Sequence, residues 1–342
     1  MASRIADGKS AKHTMRHDCK ILLVTNMWPS TASPGFGSFV QEQAESLRTL
    51  GFEYDVLFIN GRESRWNYLR SIRQLHRLLE KGHYDLVHAH FGLSGCVARL
   101  QIRVPLVVTF HGDDVLGRLK KNGRIALTGR FFQITSFALA RQAQAVIVQN
   151  QQMKRKLRLE RAEVIPCGVD LNLFRPLDQL EARRKLGLSA EKKYVLFPYD
   201  PAIEGKCFPL AEAAVRRAAL EIPGLEMLCV LGRPHAEMPF FMNAADALIL
   251  TSFSEGSPVA VKEAMAVNLP IVAVKVGDTA DLIGQTQGCH LVPRDPAAIA
   301  AKIAEVCRSG VRTKGRASIA PFSMENIARR IAGVYARVLE NL

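Results

Sequence analysis

The sequence lacks the features that mark several common classes of protein. Its seven cysteines never form a C-x-x-C pair, which argues against a zinc site or a disulfide framework and favours reduced thiols in a cytoplasm. No run approaches the roughly 18 apolar residues that a membrane-spanning helix needs. The first 17 residues have no apolar core, so we interpret residues 1–17 as a disordered leader and not as a secretory signal.

Acidic residues are scarce relative to basic ones, and the shortage is concentrated in the first half of the chain. The 342 residues carry 46 Lys/Arg against 32 Asp/Glu, a formal net charge of +14. Up to Arg175 there are 26 basic and 14 acidic residues, whereas the remainder has 20 and 18. This asymmetry predicts an anionic partner for the first half, with nucleic acid, anionic lipid and a phosphorylated acceptor as candidates. Solubility alone is the simpler alternative.

The chain does contain enough apolar material for two domains. Hydrophobic residues make up 48% of its 342 residues, which excludes a disordered protein and suggests about two domains of ordinary size. Short apolar runs alternate with helical patterns in both halves of the chain. This alternation predicts an α/β protein built from buried parallel strands.

A turn, a short helix and a buried strand are predicted for residues 251–278, which read TSFSEGSPVAVKEAMAVNLPIVAVKVGD. The apolar residues 247–250 and 270–274 predict the strands on either side of the helix. Ser257 is a good N-cap for this helix, and Pro258 suits its first position. Asn268 suits the left-handed residue that ends it.

The start of this helix is a candidate phosphate site, because unpaired backbone N–H groups at a helix N-terminus attract anions. The residues of this turn are Glu255, Gly256, Ser257, Pro258 and Val259. Glu263 lies eight residues after Glu255 and can face the same cleft. A carboxylate accepts two hydrogen bonds at once and suits paired sugar hydroxyls. The alternative is a glutamate that caps the helix and a solvated Glu263.

These residues resemble the EGSP…E signature of the retaining glycosyltransferases of family 4, which have the GT-B fold. Four segments of the chain are similar to this family as well: HGDD, IPCGVD, NAADALILTSFSEGSP and PFSMENI. The resemblance implies two Rossmann-like, doubly wound α/β domains that face a cleft. It implies an acceptor-binding domain at residues 18–172, a nucleotide-sugar-binding domain at 173–322, and a helix at 323–342 that returns to the first domain.

The resemblance also implies roles for residues on both sides of the cleft. A loop with Gly35 and Gly37 closes over the donor pyrophosphate, and glycines permit such close backbone approach. His111 contacts the donor sugar near the reacting carbon. Glu255 orients the hydroxyls of that sugar, and Glu263 binds the ribose.

Stabilising the charge of the leaving diphosphate is the largest catalytic task that the resemblance implies. Lys206 and the amides of residues 256–259 match the family in this role. The arginine that usually precedes the lysine is missing, since residues 201–205 are PAIEG. Arg233, in a neighbouring loop, is the candidate substitute.

The implied reaction transfers a hexose from a nucleoside diphosphate, UDP or GDP, to a hydroxyl of a glycan or lipid-linked acceptor, with retention at the anomeric carbon. The resemblance implies neither a cofactor nor a metal. The alternative is a catalytically weak or inactive relative that binds a nucleotide-sugar or an anionic polymer. No helix-turn-helix or aromatic-basic motif favours nucleic acid, so we do not expect it as a partner.

The segment Arg65–Lys81 predicts an amphipathic helix on which Trp66, Leu69, Ile72 and Leu79 share a face. Its arginines favour contact with an anionic membrane surface, at the inner face of the plasma membrane. Packing on a sheet with a basic outer face explains the pattern equally well.

Histidines end two predicted strands, where open α/β sheets bind their ligands. His88, His90 and His111 are candidates as a set, although core packing is the favoured interpretation of His88. The neighbouring Asp113 and Asp114 are not assigned to a metal site.

Overall fold

The computed structural model describes residues 19–117 and 125–341, which form two parallel sheets covered by helices. This architecture confirms the predicted α/β class with two doubly wound domains. The predicted leader, residues 1–17, lies outside the described residues. Within them, no helix has both the length and the apolar character needed to cross a membrane.

Six parallel strands build the sheet of the first domain: β1 (Lys20–Thr25), β2 (Glu53–Phe58), β3 (Leu86–His90), β4 (Leu106–Phe110), β5 (Ala145–Val148) and β6 (Glu163–Val164). Their order is β2-β1-β3-β4-β5-β6. β3 and β4 are buried at every position, because helices cover both faces of the sheet. These helices include α1 (Ser38–Arg48), α2 (Trp66–Lys81), α3 (Gly92–Ala98), α4 (Asp113–Leu116), α5 (Leu127–Gln142) and α6 (Gln151–Leu157).

Five parallel strands build the second sheet: β7 (Lys193–Phe197), β8 (Leu225–Cys229), β9 (Ala247–Leu250), β10 (Ile271–Val274) and β11 (Cys289–Val292). Their order is β11-β10-β9-β7-β8. The helices of this half are α7 (Gln179–Leu186), α8 (Phe208–Ala218), α9 (Met238–Ala244), α10 (Val259–Ala266), α11 (Thr279–Ile283), α12 (Pro296–Ser309) and α13 (Gly315–Ile319).

Both sheets reverse their strand order in the middle, the first between β1 and β3 and the second between β7 and β9. Loops that leave the carboxyl ends of neighbouring strands diverge at such a reversal and leave a crevice between them. The predicted site residues follow β1, β4, β7, β8 and β9, so the fold places them at or beside these crevices.

The last helix, α14 (Met324–Glu340), returns to the first domain as the resemblance implied. Its buried side chains Ile327 and Ile331 share a core with Leu23 of β1. The hydroxyl of Tyr335 lies 2.6 Å from Nδ1 of His88, deep in the same domain. The helix therefore completes the first domain from the far end of the chain.

The predicted apolar face of α2 is wrong in part. Ile72 and Leu79 pack against the core around the buried Leu75, but Trp66 is 69% exposed and Leu69 is 56% exposed. At 3.6 residues per turn, Trp66 lies half a turn around the helix from Leu75 and therefore points outward. The outer face of α2 thus carries two large apolar side chains among its arginines.

Candidate active site

A cavity of about 550 Å³ lies between the domains, at the ends of the strands that carry the predicted site. The first domain contributes the loop between β1 and α1 and the residues after β4 and β5. The second contributes the residues after β7, β8 and β9. Every residue to which the resemblance gives a role lines this cavity: Gly35, Gly37, His111, Lys206, Arg233, Glu255, Gly256, Ser257, Pro258, Val259 and Glu263.

The helix of the EGSP segment begins one residue later than predicted and is capped differently. α10 starts at Val259, and Pro258, in an extended conformation, is its N-cap. Ser257 does not cap the helix, because its hydroxyl donates to Oδ2 of Asp278 at 2.6 Å. Proline has no N–H, so the anion-binding amides of this turn belong to the neighbours of Pro258. Asn268 has φ +58°, which confirms the predicted left-handed end.

Beneath this turn lie a buried lysine, Lys262, and a partly buried aspartate, Asp278, that sequence reasoning missed. Lys262 is fully buried, and its Nζ lies 3.4 Å from the carbonyl oxygen of Ser257. Burial lowers the pKa of Lys262 and raises the pKa of Asp278. A lysine among the apolar residues of a short helix was the available signal. These groups hold the EGSP turn from below.

Glu255 and Lys206 meet at the mouth of the cavity. Nζ of Lys206 lies 2.6 Å from Oε1 of Glu255 and 4.0 Å from the centre of the Tyr199 ring. The Thr251 hydroxyl donates to the backbone carbonyl of Lys206 at 3.0 Å, which joins this loop to the end of β9. Burial, followed by the negative charge of Glu255, raises the pKa of Tyr199. The ammonium is therefore held by a carboxylate and a ring.

The glycine loop of the first domain reaches the second domain. Gly37 has φ +81°, and a Cβ there would lie 2.4 Å from the carbonyl carbon of Met27, so only glycine fits. A Cβ at Gly35 would lie 3.4 Å from the backbone oxygen of Arg233. The loop thus forms one wall of the cavity.

His111 lines the cavity from the first domain. Its ring lies against the rings of Phe91 and Phe39, with centroids 4.4 and 5.1 Å away, and its Nδ1 is 3.8 Å from Sγ of Cys167. Its Nε2 lies 3.0 Å from Nδ1 of His90. Burial lowers the pKa of His111 and takes the pKa of His90 to about 3, so both rings are neutral. One nitrogen of the pair donates and the other accepts.

His88 lies in the core and not at the cavity, which confirms core packing as the interpretation favoured for this histidine. Its two ring nitrogens bond to Tyr335 and to the hydroxyl of Thr109. Asp114 is also turned inward, since its carboxylate accepts the backbone N–H groups of His111 and Gly112 at 3.2 and 3.0 Å. Burial raises the pKa of Asp114 to about 6. The described part of the chain contains no cluster of three or more metal-ligating side chains.

Two arginines stand at the rim of the cavity. Arg233, the candidate substitute for the missing arginine, is 58% exposed and forms an ion pair with Glu237 at 3.6 Å. Arg62 also lines the cavity and lies over the ring of Phe36 at 3.6 Å. Sequence reasoning missed Arg62, although it stands in a polar turn after a predicted strand.

Sequence reasoning also missed His235, which lies between carboxylates of the two domains. Its Nδ1 bonds to Oε1 of Glu42 on α1, and its Nε2 lies 2.6 Å from Oε1 of Glu263 on α10. Burial lowers the pKa of His235, but the charges and hydrogen bonds of Glu263 and Glu42 outweigh this effect and raise it to about 11. The predicted ribose carboxylate is therefore buried and paired, and not solvated.

Comparison with known families and proteins finds relatives of this chain among glycosyltransferases. The model of Glycosyltransferase Family 4 matches residues 11–173, and the model of Glycosyl transferases group 1 matches residues 205–309. TuaC of Bacillus subtilis, a glycosyltransferase named for teichuronic acid biosynthesis, is 25% identical over 83% of this chain and 88% of its own length. The D-inositol 3-phosphate glycosyltransferase of Mycobacterium marinum is 29% identical over 76% of this chain and 65% of its own.

Solved structures share the fold. Sucrose-phosphate synthase from Thermosynechococcus elongatus superimposes with a TM-score of 0.76 at 20% identity, over 95% of this chain and all of the other. Anabaena HepE in complex with UDP and glucose gives 0.64 at 18% identity, over 93% of this chain and all of the other. These superpositions show the GT-B fold, and the two family models make the chain a glycosyltransferase. Within that class, the chain belongs to glycosyltransferase family 4.

Proposed function

We propose that the protein transfers a hexose from a nucleoside diphosphate to a hydroxyl of a glycan or lipid-linked acceptor, with retention at the anomeric carbon. The observation that supports this most is that Lys206, the start of α10, Glu255 and Glu263 line one cavity. A cation and free amides suit a diphosphate, and carboxylates suit sugar hydroxyls. A cavity of about 550 Å³ is of the size that small-molecule ligands occupy.

In the proposed reaction the bond between the anomeric carbon and the diphosphate oxygen breaks, and the acceptor oxygen bonds to the same face of that carbon. The acceptor proton passes to an oxygen of the leaving phosphate. Lys206 and the amides of Gly256 and Val259 stabilise the charge that develops there, which is usually the largest catalytic term. No metal or cofactor takes part in this proposal.

The sugar lies between the two walls in this proposal. Glu255 accepts hydrogen bonds from its hydroxyls, and the neutral ring of His111 contacts it from the first domain. His111 is held by His90 on one side, at 3.0 Å, and by Phe91 on the other. A ring fixed in this way keeps a defined orientation at the cavity wall. The complex of Anabaena HepE with UDP and glucose makes UDP-glucose the first donor to test.

We further propose that the first domain works at an anionic membrane surface. The outer face of α5 carries Leu127, Phe131 and Ile134, which are 80%, 59% and 68% exposed. These positions are four and three residues apart and so share one face. α3 packs against both α5 and α2, which places the exposed Trp66 on the same side of the sheet. Basic residues beside apolar ones suit anionic lipid.

A donor panel tests the proposed reaction. Nucleotide-sugars that bind the folded protein raise its thermal midpoint, so UDP- and GDP-linked hexoses are first screened for this shift. Those that bind are then tested for slow hydrolysis, which shows that the donor is cleaved. Transfer to a simple alcohol gives a glycoside that cannot mutarotate, and NMR of this glycoside gives the anomeric configuration. A protein that is stabilised by a nucleotide-sugar but never cleaves it is a binding relative, which is the alternative function.

A further inference from the structure

His235 is a largely buried titratable side chain for which the proposed reaction has no use. It stands after β8, in the short turn that leads into α9, and it lines the cavity. Its two ring nitrogens bond to carboxylates of different domains, Glu42 on α1 and Glu263 on α10. This arrangement makes a continuous polar connection across the cleft.

The connection requires a cation in the middle. The side chains of Glu42, His235 and Glu263 are 26%, 17% and 6% exposed, so water screens them weakly. Two carboxylates in such a place repel each other unless a positive group separates them. Only protonated imidazole donates from both ring nitrogens, and both nitrogens here face a carboxylate oxygen. The bridge is therefore an imidazolium between two carboxylates.

We propose that His235 is a positioning residue that fixes Glu263 for the donor ribose and ties it to Glu42, so that donor binding is coupled to closure of the cleft. This inference rests on the proposed donor site. The imidazole uses one oxygen of Glu263, and an ionised carboxylate can accept about four hydrogen bonds. The ribose hydroxyls can therefore bind Glu263 beside His235 and need not displace it.

The position of Glu42 gives the bridge its effect on closure. Glu42 lies five residues after Gly37, on the helix that begins directly after the glycine loop. Holding Glu42 against the second domain therefore also holds that loop over the cavity, where Gly35 approaches the backbone of Arg233. A second bond across the cleft, from Nδ2 of Asn150 to the carbonyl of Gly256, does not involve Glu263.

The test uses Glu42→Gln and His235→Gln, which keep size and polarity but remove the charges. The matched control is Glu45→Gln on the same helix, whose carboxylate pairs with Arg48 at 3.0 Å on the outer surface. Closure is measured as the radius of gyration in small-angle X-ray scattering. Nucleotide affinity is measured by calorimetry with UDP and with GDP. Where a donor is cleaved, KM and kcat for it are compared.

Both test variants are expected to show a larger radius of gyration. Their affinity for whichever of UDP and GDP binds wild type more tightly should be about tenfold lower, because each variant loses a charge-assisted contact. The donor KM should rise more than kcat falls, and the control should match wild type. The double variant should have the same radius of gyration and nucleotide affinity as His235→Gln, since both changes break the same connection.

An unchanged radius in both test variants overturns the proposal, as do additive effects in the double variant. Tighter nucleotide binding by His235→Gln also overturns it, because His235 would then compete with the ribose. A wild-type protein that binds neither UDP nor GDP refutes the proposed donor site and the positioning of Glu263 for ribose. Scattering would then still decide whether the bridge closes the cleft.

Discussion

The two walls of the cleft hold their polar groups in different ways. The second-domain wall is ionic, with Lys206 and Glu255 paired at 2.6 Å and Lys262 buried beneath the turn. The first-domain wall is neutral apart from Arg62 at its rim, with His111 packed among aromatic rings and its pKa lowered by burial. Yet the first half of the chain carries nearly all of the net positive charge.

This difference separates two kinds of recognition. An ionic wall suits the diphosphate end of a donor, and a wall of neutral rings suits an uncharged sugar face. The basic residues of the first domain are instead on outer surfaces such as that of α2, where arginines stand beside the exposed Trp66. We therefore expect the anionic partner of this domain at its surface and not at the wall of the cavity.

Removing the cation of the ionic wall should have the largest effect. Lys206→Ala is expected to lower the rate by on the order of 10²–10³, comparable to the loss of one oxyanion donor. Turnover of the cleaved donor under saturation measures this. Lys192→Ala, which removes an exposed lysine paired with Glu226 in the same domain, should leave the rate unchanged. Arg233→Ala should cost less than Lys206→Ala, because the guanidinium of Arg233 is mostly exposed and paired with Glu237.

Neutralising the deeper carboxylate should affect binding more than turnover. Glu263→Gln keeps the size of the side chain but removes its charge, so donor affinity should fall by about 1.5–3 kcal/mol. Calorimetry with the nucleoside diphosphate measures the loss. Glu255→Gln, at the mouth of the same cavity, should mainly lower turnover because it faces the reacting sugar. If both variants had the donor affinity and turnover of wild type, neither glutamate would belong to the donor site.

The bridge across the cleft should make stability depend on pH in one direction. The folded pKa of His235, about 11, lies above its ordinary value of 6.5. The stability that His235 contributes is therefore complete below pH 6.5 and declines as the pH rises towards 11. The difference in unfolding free energy between wild type and His235→Gln should shrink from pH 6 to pH 10, by about 1 kcal/mol or more. A difference that grows over this range would contradict the assignment.

The outer surface of the first domain should give the smallest effect. The protein is expected to sediment with anionic vesicles at low salt and to be released as salt rises, since each basic residue near the surface adds about 1 kcal/mol. Phe131→Ser on α5 should weaken this binding. Leu220→Ser is the control, because Leu220 is an equally apolar, 86% exposed side chain of the nearly neutral domain. Equal binding to neutral and to anionic vesicles would exclude the proposed contact with an anionic membrane.

The sequence predicted the ionic wall better than the neutral one, for a physical reason. The EGSP turn, α10 and the strand after it are contiguous, so local patterns suffice to place Glu255 and Glu263 in one cavity. His235 and Glu42 are 193 residues apart, and their contact depends on how the domains pack. The exposure of Trp66 was missed for a similar reason, because the periodicity of α2 alone does not say which stripe meets the sheet.

The return of α14 to the first domain also sets an order of events during synthesis. Strands β1 to β6 leave the ribosome long before Tyr335 exists, yet the core around Leu23 is closed by side chains of α14. Domains usually fold from the N-terminus as they emerge. Here the first domain must wait for the whole second domain to be translated, with the face that α14 will cover still open. We therefore expect a nascent chain translated only as far as residue 322 to expose this apolar face, and to depend on chaperones until α14 has emerged.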